Sequence, residues 1–361
     1  MQNILVTGGA GFIGSNFIRF ILKTESDVKI INLDALTYAG SQENLKELSS
    51  PDQHIFIQGN ICDKDLLHNL LRKYQIDTIV HFAAETHVDR SIYGPGQFVE
   101  TNIVGTFTLL EAARNYWLNE NKSLSKNVRF HHISTDEVFG SLAEGQPSWT
   151  EEIPYAPNSP YAASKAASDH LVRSYGHTYG LPFTLTNCSN NYGPYQFPEK
   201  LVPLMILNAL DEKPLPVYGD GQQIRDWLHV EDHCEAIHLV LTRGSSGSAY
   251  NLGGGNQPAN LIIVETICDI LDEVRPRENG SSYHNLIQFV KDRPGHDRRY
   301  AMDAGKIQQE LGWRPRHSLT EGLRDTIDWY VSHSEWVAAI RKQQDYQSWV
   351  AQNYGKREKA Q

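Results

Sequence analysis

The sequence predicts an α/β protein with a doubly wound parallel sheet and a smaller mixed α/β lobe toward the C-terminus. Three observations carry that prediction. Short apolar runs alternate with helical patterns through the first half of the chain. These runs are apolar on both faces, as strands covered by helices on either side must be. A glycine-rich turn joins the first run to the first helix, and an acid closes the second run, an order typical of nucleotide-binding sheets.

The elements follow in order. NILVTG (3–8) reads as the first strand, and a helical pattern runs from Phe12 to Lys23. VKIINLD (28–34), HIFIQGN (54–60) and DTIVHFAA (77–84) are further strands. A helix is expected from about Gln97 to Trp117, then a strand at VRFHHIS (128–134). The second half is less regular. Pro- and Gly-rich turns fall at 194–198, 214–221 and 253–258, between helical stretches near 201–210, 230–242, 261–274, 303–311 and 319–332. The expected division is a Rossmann-type nucleotide-binding domain over 1–189 and a substrate lobe mainly over 190–340. Segment 230–252 is expected to return to the first domain, and 345–361 to form a polar tail.

Composition narrows the function. The chain has 361 residues and a net charge of −10, so bulk electrostatics give a nucleic-acid partner no support. Cys62, Cys188, Cys234 and Cys268 form no CxxC, which argues against a disulfide framework or a zinc ribbon. No apolar run approaches the length of a membrane span, and MQNILVTGG lacks a signal-peptide pattern. A soluble cytoplasmic protein with no membrane partner is expected. No metal is expected either. His229 and His233 are four apart and could share a helix face, but no zincin-type motif surrounds them. His131 and His132 lie on one strand and must point to opposite faces.

Two stretches carry chemistry. In TGGAGFIGSN, Gly8, Gly11 and Gly14 enclose Phe12 and Ile13 between a strand and a helix. Glycines there permit a tight turn and let backbone N–H groups approach a pyrophosphate at the helix N-terminus. Asp34 ends the second strand, where a carboxylate can bind ribose hydroxyls and would repel a 2′-phosphate. NAD is therefore expected over NADP. SPYAASKAASD supplies Tyr161 and Lys165 at i, i+4, on one helix face. A nearby ammonium favours the phenolate, and a phenolate can take a proton from a carbinol as its hydride leaves. STDEVFG places Thr135, Asp136 and Glu137 at the end of a core strand. Two adjacent carboxylates in a dry site should push their pKa values apart, so that one holds a proton while the other is ionised.

These motifs resemble the extended branch of the short-chain dehydrogenase/reductase superfamily, and Thr135-Asp136-Glu137 resembles its nucleotide-sugar 4,6-dehydratases. LDALTYAG (33–40), AAETHVDRSI (83–92), NCSNNYGPYQFPEKLVP (187–203), PLPVYGDGQQIRDWLHVEDH (214–233) and DRPGHDRRYAMD (292–303) extend the resemblance over nearly the whole chain. It implies NAD-dependent oxidation of a nucleotide hexose at carbon 4, with Thr135 binding the hydroxyl and Tyr161 and Lys165 at the reacting centre. Asp136 would be the acid and Glu137 the base of an elimination across carbons 5 and 6. dTDP-glucose is the implied substrate, and a rhamnose-type deoxysugar route the implied setting. By the same resemblance, Asn60, Ile61, Phe82, Ala83, Ala84, Thr101 and Asn191 flank the cofactor, with Asn60 standing where the branch usually has Asp. Thr86, His87, Asn190, Lys200, Leu201, Pro216, Tyr218, Arg225, Asn260, Asp292, Arg293 and His296 would contact the substrate. Lys200, Arg225, Arg293, Arg298 and Arg299 are candidate cations for the diphosphate, Arg225 foremost. The apolar stripe in VETNIVGTFTLLEAA suits core packing, and the resemblance implies a homodimer built on that helix. A 4-epimerase, a UDP-glucuronate decarboxylase and a UDP-glucose 4,6-dehydratase remain open, as does a silent NAD-binding scaffold. The acid–base pair argues against the epimerase, and the intact catalytic set against the scaffold.

Overall fold

The structure is a computed structural model and describes residues 1–121, 127–292, 295–344 and 346–348. Its strands are β1 (Asn3–Thr7), β2 (Lys29–Asp34), β3 (His54–Gln58), β4 (Thr78–His81), β5 (Arg129–Thr135), β6 (Phe183–Cys188), β7 (Asn190–Tyr192), β8 (Leu215–Tyr218), β9 (Trp227–His229), β10 (Ala249–Leu252) and β11 (Ile287–Val290). Seven of them form one sheet in the order β10-β6-β5-β4-β1-β2-β3. Every pairing in it is parallel. The order reverses at β1, whose neighbours are β2 on one side and β4 on the other. Ligands bind such sheets beyond the carboxyl ends of the strands at that reversal.

The helices are α1 (Phe12–Thr24), α2 (Lys64–Lys73), α3 (Val88–Tyr93), α4 (95–120), α5 (Pro160–Tyr179), α6 (Leu201–Leu210), α7 (Val230–Arg243), α8 (Asn260–Val274), α9 (Gly305–Leu311), α10 (Leu319–Ser332) and α11 (Ser334–Arg341). Alternate residues along the strands serve opposite faces. Leu5, Ile31, Ile79 and Phe130 pack with Leu67, Leu109, Leu110 and Val172 of α2, α4 and α5. Ile4, Val6, Ile30, Val80 and Ile133 pack with Phe17, Ile18, Ile21, Val230 and Ile237 of α1 and α7. A separate apolar cluster holds the C-terminal lobe, where Val202, Leu207, Ile263, Ile267, Leu323 and Ile327 bring α6, α8 and α10 together beside the β8–β11 pair.

Three differences from the sequence reading have physical causes. The helix expected at 97–117 runs from 95 to 120 and includes π-type turns at Val99–Gly105 and Asn115–Glu120. The strand expected at 77–84 stops at His81, because the backbone then leaves the sheet to cross Gly8. A Cβ on Gly8 would lie 2.6 Å from the Ala83 nitrogen, and Gly8 has φ +74°. β6 and β10 were not foreseen as strands. Their sheet residues are fully buried but include Thr184, Thr186, Asn187, Tyr250 and Asn251, so no apolar run marks them. The polar tail expected at 345–361 lies largely outside the described residues.

Candidate active site

A cavity of about 310 Å³ opens at the reversal of strand order. Every cofactor residue expected from the sequence lines it, from Gly8 to Asn191, and so do Thr135, Asp136, Glu137, Tyr161 and Lys165. A second cavity, of about 190 Å³, lies under the C-terminal lobe. Thr86, His87, Asn190, Lys200, Leu201, Pro216, Tyr218, Arg225, Asn260 and His296 line it. Thr86, Glu137, Asn190, Glu199 and Lys200 border both, so the two cavities adjoin at the reacting residues. Asp292 stands one step back, accepting from Gln223 Nε2 at 2.8 Å and pairing with His296 Nδ1 at 2.6 Å. Arg293 lies outside the described residues.

The nucleotide end suits a dinucleotide. Helix α1 begins at Gly11 with no side-chain cap and no acid in its first turn. Its first N–H groups and its dipole therefore favour an anion. A Cβ on Gly14 would sit 2.4 Å from the Gly8 carbonyl oxygen, so only glycine allows this tight approach. Asp34 accepts from Ala10 N at 2.9 Å and Leu36 N at 2.8 Å, which fixes its carboxylate at the adenosine side. Burial raises its pKa. These features fit NAD, which would lie along Gly8–Gly14, Asp34 and Ala83–Ala84.

The strand end orients the acids. Thr135 closes β5 and caps a short turn over Asp136–Phe139, its hydroxyl accepting from Glu137 N at 3.3 Å. Gly140 ends that turn at φ +92°, where a Cβ would meet the Ala156 carbonyl oxygen at 2.4 Å. Asp136 is 2% exposed, and its Oδ2 has no hydrogen-bond partner among the described residues. Burial, then the charge of Glu137, pushes its pKa well above the usual carboxylate range. Asp136 is therefore biased toward its protonated form beside a second carboxyl group.

Helix α5 presents the other two groups. Ser159 caps it by accepting from Ala162 N, and Pro160 occupies the first turn, so Tyr161 enters the cavity at the helix start. Here the sequence expectation needs correction. Lys165 does not dominate the Tyr161 phenol. Burial, followed by the charge of Glu137, raises the Tyr161 pKa, and a hydrogen bond with Thr135 opposes that. The Lys165 ammonium instead donates to the Ile133 carbonyl at 2.8 Å and lies 3.4 Å from His132 Nε2.

Two further expectations change. Arg298 pairs with Asp220 at 2.9 Å, and Arg299 donates to Gln146 O and Gln257 Oε1; neither lines a cavity. Arg225 does line the second cavity, buried over the Tyr300 ring and donating to the carbonyls of Ile224 and Asp297. His229 and His233 do not share a helix face. His229 ends β9 and caps α7, while His233 Nδ1 lies 2.8 Å from Asn191 Oδ1. His131 and His132 do diverge, toward Thr184 and toward Asp169 respectively. Sequence reading missed Tyr38, Glu85, Cys188, Ser189, Gln196 and Glu199 on the cavity wall. All six lie in segments already singled out, at 33–40, 83–92 and 187–203, so their place in the chain was the available signal.

Comparison with known proteins agrees with this geometry. A family model described as GDP-mannose 4,6 dehydratase matches residues 5–326. The dTDP-glucose 4,6-dehydratase of Salmonella typhimurium is 54% identical over 361 residues, covering 98% of this chain and 99% of that protein. The enzyme of the same name from Neisseria meningitidis serogroup B is 56% identical over 338 residues, covering 93% and 95%. The crystal structure of a dTDP-glucose 4,6-dehydratase from Streptomyces venezuelae, with NAD among its ligands, superposes with a TM-score of 0.85 at 45% identity, covering 94% of this chain and all of that one. With a glycine-lined dinucleotide cavity, a buried acid beside a second carboxyl group and likeness along almost its full length, the chain belongs to the nucleotide-sugar dehydratases of the GDP-mannose 4,6 dehydratase family.

Proposed function

We propose that the protein converts dTDP-glucose to dTDP-4-keto-6-deoxyglucose and water. The observation that carries this reading is the place of Asp136 and Glu137: a buried acid beside a carboxylate that borders both cavities. NAD held along Gly8–Gly14, Asp34 and Ala83–Ala84 would supply hydride chemistry, as acceptor from carbon 4 and donor to carbon 6. Thr135 orients the carbon 4 hydroxyl, and Tyr161 takes its proton. The new ketone acidifies the proton on carbon 5. Glu137 removes that proton, and Asp136 protonates the oxygen that leaves carbon 6 as water. Glu137, protonated by that step, can return a proton to carbon 5, so the reaction balances as loss of water. The cofactor ends as it began.

Substrate is held from the C-terminal lobe. Lys200 and Arg225 are the cations on the second cavity that face a diphosphate, and Asn260 and Tyr218 suit the base and ribose. A 4-epimerase has no use for an acid–base pair at carbons 5 and 6, which favours the dehydratase. We further propose a homodimer joined through α4, whose Val99, Val104 and Phe107 are exposed apolar side chains. Four free cysteines suit the cytoplasm, and no described helix is long and apolar enough to cross a membrane. The product suits a deoxysugar route of the rhamnose type.

The test is incubation with dTDP-glucose in deuterated water, followed by proton NMR. A 4-keto-6-deoxy product with deuterium at carbon 5 and no net NADH is expected. No reaction with dTDP-glucose, but turnover of UDP-glucose or UDP-glucuronate, would overturn the substrate assignment.

A further inference from the structure

Lys165 is 4% exposed, and nothing in the proposed reaction explains how an ammonium persists there. Burial alone drives a lysine toward its neutral form. The groups facing it come from several elements. His81 approaches from β4, His132 from β5 and Cys188 from β6, with Asp169 on its own helix and Tyr161 on the same cavity wall. Burial keeps His81 and His132 neutral by lowering their pKa values, that of His132 to about 4. It pushes the Cys188 thiol up to about 12 and raises the Tyr161 phenol. Asp169 is therefore the one anion in this set.

Asp169 has no surface exposure and lines neither cavity, so it touches neither cofactor nor substrate. Its environment is built to keep it ionised. Ser134 Oγ donates at 2.6 Å and Tyr155 OH at 2.9 Å to Oδ2, and His132 Nε2 lies 3.2 Å from Oδ1. The same His132 nitrogen lies 3.4 Å from Lys165 Nζ. Asp169 follows Lys165 by four residues on α5, the spacing that puts two side chains on one face. A carboxylate gathering several hydrogen bonds in the dry core stays charged. An isolated buried charge would be costly without a partner of opposite sign.

We infer that Asp169 is a positioning residue for the reaction proposed above: its charge, acting across the edge of the His132 ring, is the buried counter-ion that keeps Lys165 protonated at the reacting centre. The chain of groups runs from the cavity wall inward, Lys165 to His132 to Asp169, with Ser134 and Tyr155 holding the far end. Loss of the carboxylate leaves Lys165 with no anion among these groups, so it releases its proton at lower pH.

The test uses the full-length enzyme with NAD. Wild type and Asp169→Asn are mixed with dTDP-glucose in single-turnover experiments from pH 6 to 10, following reduced cofactor at 340 nm. An opposite charge at this range shifts a pKa by roughly one to three units. The alkaline limb of the oxidation rate should therefore move down by about one pH unit or more, with KM unchanged. Asp169→Glu should restore it. Tyr155→Phe removes one hydrogen bond but no charge and should leave the limb in place. An unmoved limb in folded Asp169→Asn, judged by circular dichroism and NAD content, overturns the inference. If that variant does not fold, His132→Asn is the substitute. Its amide leaves both charges in place, so the limb should stay within the reach of the wild type; a limb that moves down as far as a lost carboxylate requires overturns the inference. A wild type that never reduces its cofactor with dTDP-glucose would instead overturn the proposed function, which separates the two failures.

Discussion

Replacing Glu137 by Gln removes a base and a negative charge at once, and the two effects have opposite signs. A positioned general base contributes about 10²- to 10⁴-fold. At about 1.4 kcal/mol per tenfold, abstraction of the carbon 5 proton should slow by about 3–5 kcal/mol of barrier. The charge acts elsewhere. After burial, Glu137 is the leading cause that raises the pKa values of both Asp136 and Tyr161. Without it, both fall. Tyr161 accepts a proton only when deprotonated, that is, above its pKa. A lower pKa therefore moves the acid limb of the oxidation step to lower pH. Glu137→Gln should thus oxidise substrate readily, even below the wild-type pH range, and then stop. Reduced cofactor should accumulate at 340 nm, while deuterium incorporation at carbon 5 falls at least a hundredfold. Normal solvent exchange in this variant would refute Glu137 as the base. Normal exchange together with an unshifted acid limb would refute the electrostatic argument as well.

Asp136→Asn should also pass the oxidation step, yet fail to expel the carbon 6 oxygen; turnover should drop at least about a hundredfold, with the 4-keto hexose detectable by NMR. Gly14→Ala forces a Cβ to 2.4 Å from the Gly8 carbonyl. A strain of about 1–3 kcal/mol should lower the melting temperature and the NAD content of purified protein, both measurable without turnover. Acid should destabilise the fold through its buried histidines. His132 and His229 are lowered to about 4 and His233 to about 3 by burial, whereas the unfolded chain titrates near 6.5. Between those values the unfolded state binds more protons, so stability falls as pH drops from about 6.5 toward 4. The loss from pH 6.5 to 5.5 is on the order of 1 kcal/mol per histidine, with His317, raised by Asp232, opposing it. A urea midpoint that does not fall over that range would contradict the burial of these rings.

Local pattern determined much of this protein. The apolar runs at 3–8, 28–34, 54–60 and 128–134 became β1, β2, β3 and β5 because each alternates sides between two helical layers. Gly8, Gly11, Gly14 and Asp34 were readable because backbone approach and a strand-end acid leave a fixed spacing in sequence. Tyr161 and Lys165 were readable because a helix repeats every four residues or so, and Thr135-Asp136-Glu137 because contiguous acids at a core strand end demand an explanation. Tertiary structure decided what spacing cannot express. β6 and β10 mix polar with apolar residues, and the burial of the polar ones follows from Thr184 and Thr186 finding the His131 ring, and Asn251 finding Glu151 and Trp149, across the fold. The withdrawal of Arg298 and Arg299 from the diphosphate site follows from nearer partners in Asp220, Gln146 and Gln257. Lys165 is held by the Ile133 carbonyl, which lies within hydrogen-bond reach, with His132 and Asp169 behind it. Charges in a dry core choose partners by distance and dielectric, and only the folded chain sets either.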